Sequence, residues 1–175
     1  MKNAKIPVLG FVAASGTGKT TLLTQLIPLL KQMGLRIGLI KHSHHDFEID
    51  QPGKDSYRLR EAGATSVMLV SQYRRAIINE LALDKELRLV DQLTHLNQAE
   101  LDLILVEGFR SEIFPKIEIY RKLLDAPLLY PDDSDIIAIA TDDPLQTPFH
   151  LTQLNLNEPQ MIATFIQKFI SDSHD

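Results

Sequence analysis

The chain has 175 residues, 44% of them hydrophobic and 23% charged, a formal net charge of -5 and no cysteine. That excludes disulfides, thiolate metal sites and thiol nucleophiles, argues against a nucleic-acid-binding face, and leaves no apolar run near the roughly 20 residues that cross a bilayer. Length and balance predict one folded domain over residues 1–175, and a short polar amino terminus unlike a signal peptide places it in the cytoplasm, without membrane or nucleic-acid partners.

Ile6 to Ala13 is a nearly continuous apolar run ending in a glycine-rich turn, the pattern of a strand buried on both faces of a parallel sheet. Leu22, Leu23, Leu26, Ile27, Leu30 and Met33 recur at helical spacing, and Gly34 stands where a left-handed cap would end that helix. Leu35 to Ile40 predicts a second strand. The polar stretch after it, Lys41 to Lys54, is long for a connection and points to function. Asp55 to Ala62 reads as a helix capped by Asp55 or Ser56, and Ser66 to Val70 with Arg75 to Leu81 as an antiparallel pair at a sheet edge.

Asp84 can cap a helix that turns Leu87, Val90, Leu93 and Leu96 inward, after which Leu101 to Val106 is the most hydrophobic strand of the second half and should be central. Ile117 to Tyr120 and Ile136 to Ala140 add two strands. Asn157 opens a last helix with Met161, Ile162, Phe165, Ile166, Phe169 and Ile170 on one face. The alternation implies an α/β fold, a three-layer doubly wound and mostly parallel sheet with an antiparallel edge hairpin. Ligands collect beyond the carboxyl ends of such strands. The residues expected on that rim are Ser15 to Thr20, Lys41 to Asp46, Ser71 and Gln72, Glu107 and Gly108, and Thr141 to Asp143.

Residues 13–20 read Ala-Ala-Ser-Gly-Thr-Gly-Lys-Thr, the phosphate-loop pattern with Ala13 in place of the first glycine. Gly16 and Gly18 let the backbone curl so that successive N–H groups point inward, and the following helix adds its positive end. Lys19 would reach the β- and γ-phosphates and Thr20 would ligate Mg²⁺, with Ser15, Gly16, Thr17, Gly18 and Thr21 completing the nucleotide contacts. A magnesium site also needs a carboxylate opposite Thr20. Glu107, just past the central strand, lies on the ligand side, whereas Asp102 lies at the strand's amino end. Asp46 is a candidate for holding a metal-bound water. His42, His44 and His45 beside it lack a definite ligand geometry, and Lys41 and His42 are read as phosphate or substrate contacts.

Four runs carry a resemblance. Ser15-Gly-Thr-Gly-Lys-Thr-Thr-Leu-Leu, Gly38-Leu-Ile-Lys-His-Ser-His-His-Asp, Pro52-Gly-Lys-Asp-Ser-Tyr-Arg-Leu-Arg-Glu-Ala-Gly-Ala and Leu101-Asp-Leu-Ile-Leu-Val-Glu-Gly-Phe resemble the molybdopterin-guanine dinucleotide biosynthesis adaptor family. The likeness spans roughly residues 6 to 121, with a weaker echo at Ile136 to Pro144. It implies a P-loop, GTP-binding, weakly GTP-hydrolysing homodimer using GTP and Mg²⁺. Such a protein assists the nucleotidyltransferase that joins GMP to molybdopterin in molybdenum cofactor synthesis. Carried over residue by residue, the resemblance puts phosphates on Gly16, Gly18, Lys19 and Thr20 and metal near Glu107.

No Asn-Lys-x-Asp run is present to read guanine. Asp142 has a carboxylate that could accept both guanine N1–H and N2–H, although Asp142 and Asp143 before Pro144 are equally good turn residues. Lys54 in Gly53-Lys54-Asp55-Ser56 lacks the context of a second phosphate loop; the resemblance alone raises contact with a pterin phosphate or a partner there. Fast hydrolysis needs a water-orienting Gln and an arginine finger, for which only Arg74, Arg75 and Arg110 are candidates, so turnover should be slow. Two other readings use the same scaffold. One is an ATP-dependent small-molecule kinase or ligase, the other a docking module ordered by nucleotide.

Overall fold

A computed structural model describes residues 1–43, 47–81, 86–148 and 150–173. In chain order the elements are β1 (Val8–Val12), α1 (Lys19–Gln32), β2 (Ile37–Lys41), α2 (Asp55–Glu61), β3 (Ser66–Val70), β4 (Arg75–Asn79), α3 (Leu89–Gln92), β5 (Leu103–Glu107), β6 (Lys116–Tyr120), β7 (Ile136–Thr141), β8 (Thr152–Asn155) and α4 (Pro159–Asp172). Residues Met1–His42 and Arg88–Asp175 make one compact unit, and Ser43–Leu87 a second.

The larger unit is built on one six-stranded sheet in the order β2-β5-β1-β6-β7-β8, with every pairing parallel. Continuous apolar runs form its centre because both faces are covered: all of β1 and the first four residues of β5 are buried. Side-chain alternation sorts them by face. Leu103 and Leu105 point to the core shared with α1 and α4, whereas Ile104 and Val106 join Leu89, Leu93, Phe109 and Phe114 on the other side. The first face carries two long helices. The second is covered by the four-residue α3, a following 3-10 turn at Leu93–His95, and loops, so the third layer is thin.

Helix α1 buries Leu22, Leu23, Leu26 and Leu30, each worth about 1.5–3 kcal/mol relative to exposure. It ends at Met33, with Gly34 at φ 87° and Leu35 N–H closing back on the Leu30 carbonyl at 3.1 Å. Met33 itself is exposed rather than part of the apolar stripe.

Several expectations are corrected. The antiparallel pair β3–β4 is a two-stranded sheet of its own and not an edge of the main sheet, so Ser71 and Gln72 belong to the turn of that hairpin and do not follow a strand of the main sheet. Helix α2 is capped at Lys54 without a side-chain bond, and the Ser56 hydroxyl donates instead to Asp50 at 2.9 Å. Asp84 lies outside the described residues. The helix expected after it is one turn that buries Leu89 and Leu93, while Leu87 stays exposed. The last helix has Glu158 at its N-cap position without a side-chain capping bond, and leaves Met161 exposed. Strand β8 was not expected: Thr-Gln-Leu-Asn has a single apolar side chain, and an edge strand needs only one buried face.

Candidate functional site

In a parallel sheet every strand delivers its last residue to the same edge, so β1, β2 and β5 bring three stretches together. The loop from Ala13 to Gly18 joins β1 to α1. Gly18 takes φ 93°, a left-handed conformation that a residue with a Cβ resists, and it turns the chain directly into the first helical residue, Lys19. Leu22 N–H closes the first helical bond on the Gly18 carbonyl at 2.9 Å, so the three leading amides of α1, those of Lys19, Thr20 and Thr21, have no partner within the helix and stand at its positive end. Thr17 is 2% exposed, and its hydroxyl closes the loop on the Ala14 carbonyl.

Lys19 Nζ lies 3.4 Å from both the Ala13 and the Ala14 carbonyl oxygens, folded back over the loop on long bonds. Thr20, one residue on, places its hydroxyl 3.4 Å from Glu107 Oε1, and Lys41 Nζ sits 3.3 Å from Glu107 Oε2. This register follows from pairing, since Lys41 and Phe11 are the partners of Glu107 on either side of β5. A hydroxyl and a carboxylate at that separation are hard oxygen donors of the kind Mg²⁺ takes, leaving room for phosphate oxygens and water. The lysine pair supplies positive charge on both flanks.

Behind Glu107 the chain turns sharply. Gly108 has φ 108°, and a Cβ there would stand 2.6 Å from the Cβ of His42, so no other residue fits. Phe109 follows at φ 51°, a left-handed value that costs a bulky residue on the order of 1–3 kcal/mol. It is held by burial and by stacking of its ring on His42, with centroids 4.4 Å apart and planes 19° from parallel. His42 N–H also donates to the Glu107 carbonyl at 2.8 Å. His42 thus buttresses the turn that aims Glu107.

The structure brings together Lys19, Thr20, Lys41, His42 and Glu107. Ser15, Gly16 and Thr21 are exposed along the same loop and first helical turn. Asp142, after β7, lies on the other flank, where its Oδ2 is 3.3 Å from Arg121 Nη1 and its Oδ1 accepts Lys122 N–H at 3.1 Å. His44, His45 and Asp46 lie outside the described residues. Arg74 and Arg75 belong to the Ser43–Leu87 unit, whereas Arg110 follows Phe109, exposed. The rejected acid, Asp102, sits at the amino end of β5 and takes three hydrogen bonds from Arg36, whose guanidinium and N–H hold its carboxyl down to about 2.

Sequence reasoning missed Arg121 and Phe109. Arg121 is the first residue past β6, so the strand-end rule applied to that strand would have found it; Phe109 carries no sequence signal for its backbone conformation.

Residues 8–142 match the family described as Molybdopterin guanine dinucleotide synthesis protein B. Among curated proteins, the Molybdopterin-guanine dinucleotide biosynthesis adapter protein of Escherichia coli (strain K12) is 44% identical over 169 residues, covering 94% of each chain. That of Haemophilus influenzae is 40% identical over 173 residues, 98% of this chain and 94% of the relative. Among solved structures, molybdopterin-guanine biosynthesis protein B superposes with a TM-score of 0.72 at 24% identity, over 94% of this chain and 99% of that one. Bacillus subtilis MobB gives 0.71 at 23%, over 94% and 98%. At those identities the structures speak for the fold.

Proposed function

Because the chain belongs to the molybdopterin guanine dinucleotide synthesis protein B family, we propose that it is a GTP-binding adaptor of the P-loop type with slow GTPase activity. In this reading it assists the nucleotidyltransferase that attaches GMP to molybdopterin. The observation that carries it is the meeting of Thr20 and Glu107 at 3.4 Å beside Lys19, at the mouth of a glycine-rich loop. Gly16, Gly18, Lys19 and Thr20 hold the phosphates, with Ser15, Thr17 and Thr21 alongside. Thr20 and Glu107 hold Mg²⁺, which when bound neutralises charge on the β- and γ-phosphates. Asp46 stays a candidate for a metal-bound water, and Lys41 steadies Glu107 through their ion pair.

Guanine preference falls to Asp142. Each of its carboxylate oxygens accepts one protein donor and retains a second lone pair for a base N–H. Slow turnover follows from the residues around Glu107, where the side chains of Lys41 and His42 are engaged with the acid and with Phe109 rather than placed to orient a water. A homodimer is supported by the hairpin: Met68, Val70 and Ile77 share one face of β3–β4 and are each more than half exposed, an apolar surface that a second copy would cover.

A nucleotide panel by calorimetry with Mg²⁺, with and without the nucleotidyltransferase, tests the proposal. Binding of GTP above ATP, with an affinity for the transferase that nucleotide changes, is expected. Stoichiometric ATP consumption with a small acceptor would instead make the chain a kinase or ligase, and rapid GTP hydrolysis by the pure protein would also count against the adaptor role.

A further inference from the structure

Resting on the nucleotide reading above, one residue outside the motif has a position that the motif needs. Arg121, just past β6, donates from Nε to the Thr17 carbonyl at 2.9 Å, while its Nη1 lies 3.3 Å from Asp142 Oδ2. Its guanidinium also lies along Gly18: a Cβ built there would be 3.8 Å from both Nε and Nη2. The contact joins residues 104 positions apart, and so ties the strand-end loops after β6 and β7 to the loop after β1.

The chemistry follows from the peptide unit. In a trans peptide the C=O and the next N–H point in opposite directions, and among the described residues there is no cis bond. A donor fixed on the Thr17 oxygen therefore fixes the Gly18 N–H on the opposite side. The Thr17 side chain is anchored separately by its bond to Ala14, so the carbonyl is the remaining degree of freedom at this peptide. Glycine at 18 makes that freedom large, because both of its dihedrals are soft. Among the described residues no group accepts from Gly18 N–H, the situation of a donor awaiting an anion.

We propose that Arg121 is a positioning residue of the phosphate cradle: its Nε–H, bonded to the Thr17 carbonyl, turns the Thr17–Gly18 peptide so that the Gly18 N–H faces the phosphate, with Asp142 holding the guanidinium in place. Arg121 acts through the loop and not by touching nucleotide. The Nε–H is therefore the group that the cradle needs, and the charge serves only the pairing with Asp142.

Substitution can separate the two. The side-chain nitrogen of glutamine lies the same number of bonds from Cα as arginine Nε, and the terminal methyl of methionine occupies the same place without a donor. Wild type, Arg121→Gln, Arg121→Met and Lys19→Ala are titrated by calorimetry with Mg-GTP and with inorganic tripolyphosphate plus Mg²⁺, below their melting temperatures. Arg121→Met is expected to weaken both probes about tenfold, and Arg121→Gln to stay within about threefold of wild type.

Three results overturn the proposal: unchanged affinity in Arg121→Met, a glutamine variant as weak as the methionine one, which would mean the charge touches the ligand, or a loss for GTP with none for tripolyphosphate. If Arg121→Met does not fold, Arg121→Gln decides alone, a tenfold loss overturning the role. Lys19→Ala separates the layers. Loss of binding there, with full affinity in Arg121→Met, removes only the positioning role, whereas a wild type that binds neither probe removes the nucleotide reading and this inference with it.

Discussion

Two lysines, one opening strand β6 and one opening helix α1, have opposite surroundings. Lys116, at the start of β6, is 1% exposed and fully engaged: its Nζ donates to the Glu112 carbonyl at 2.8 Å and the Arg110 carbonyl at 3.2 Å, and pairs with Asp133 at 2.8 Å and Asp135 at 3.7 Å. Lys19, at the carboxyl edge, makes two bonds of 3.4 Å to loop carbonyls. A buried ammonium is tolerated only when every proton finds a partner, so Lys116 is a structural ion. Weak bonds cost little to exchange, so in the proposed reading Lys19 gives them up for a phosphate. Of the two ammonium groups, the one beside the glycine-rich loop is the less fully bonded.

That contrast can be broken by mutation, and the largest effects come first. Lys116→Met removes the cation and strands two carbonyls and two carboxylates, and should cost about 3–5 kcal/mol in urea unfolding, with the folded fraction still binding nucleotide. Lys19→Ala should do the reverse, weakening Mg-GTP on the order of 100-fold by calorimetry with the melting temperature unchanged. Equal melting losses in the two variants would erase the distinction. Glu107→Gln keeps the shape of the turn and halves the oxygen donors, so the gain in GTP affinity on adding Mg²⁺ should fall about tenfold.

Asp142→Ala should narrow the GTP-to-ATP ratio by about the same order, and an unchanged ratio would take the base-reading role from Asp142. The smallest effect is a pH dependence far from the site. Because Arg36 depresses the Asp102 carboxyl to about 2, below its unfolded value near 4, the pair stabilises the fold above that value. The stabilisation is lost as pH falls through the folded pKa. The melting difference between wild type and Asp102→Asn should thus be present at neutral pH and shrink between about pH 4 and pH 2.

What could be read in advance depended on how local the physics is. The loop at residues 13–20, the strand runs and the preference for Glu107 over Asp102 all follow from spacing and from which end of a strand a residue occupies. The acid's place opposite Thr20 is then fixed by β5 pairing beside β1. Arg121 obeys the same rule, being the first residue past the carboxyl end of β6. The hairpin's independence was not legible, since the short apolar runs of β3 and β4 suit a strand pair in either sheet, and only tertiary pairing decides which sheet they join. Phe109 lay beyond reach because its left-handed backbone is imposed by Gly108 and the His42 stack, neither of which is written in the residue itself.

The most direct test is an amide chemical-shift titration of the wild-type chain with GTP and Mg²⁺. Shifts concentrated at Gly16, Gly18, Lys19 and Thr20, with Lys116 and its neighbours unmoved, are the expected result. Shifts confined to other parts of the chain, or none at saturating nucleotide, would contradict the phosphate cradle.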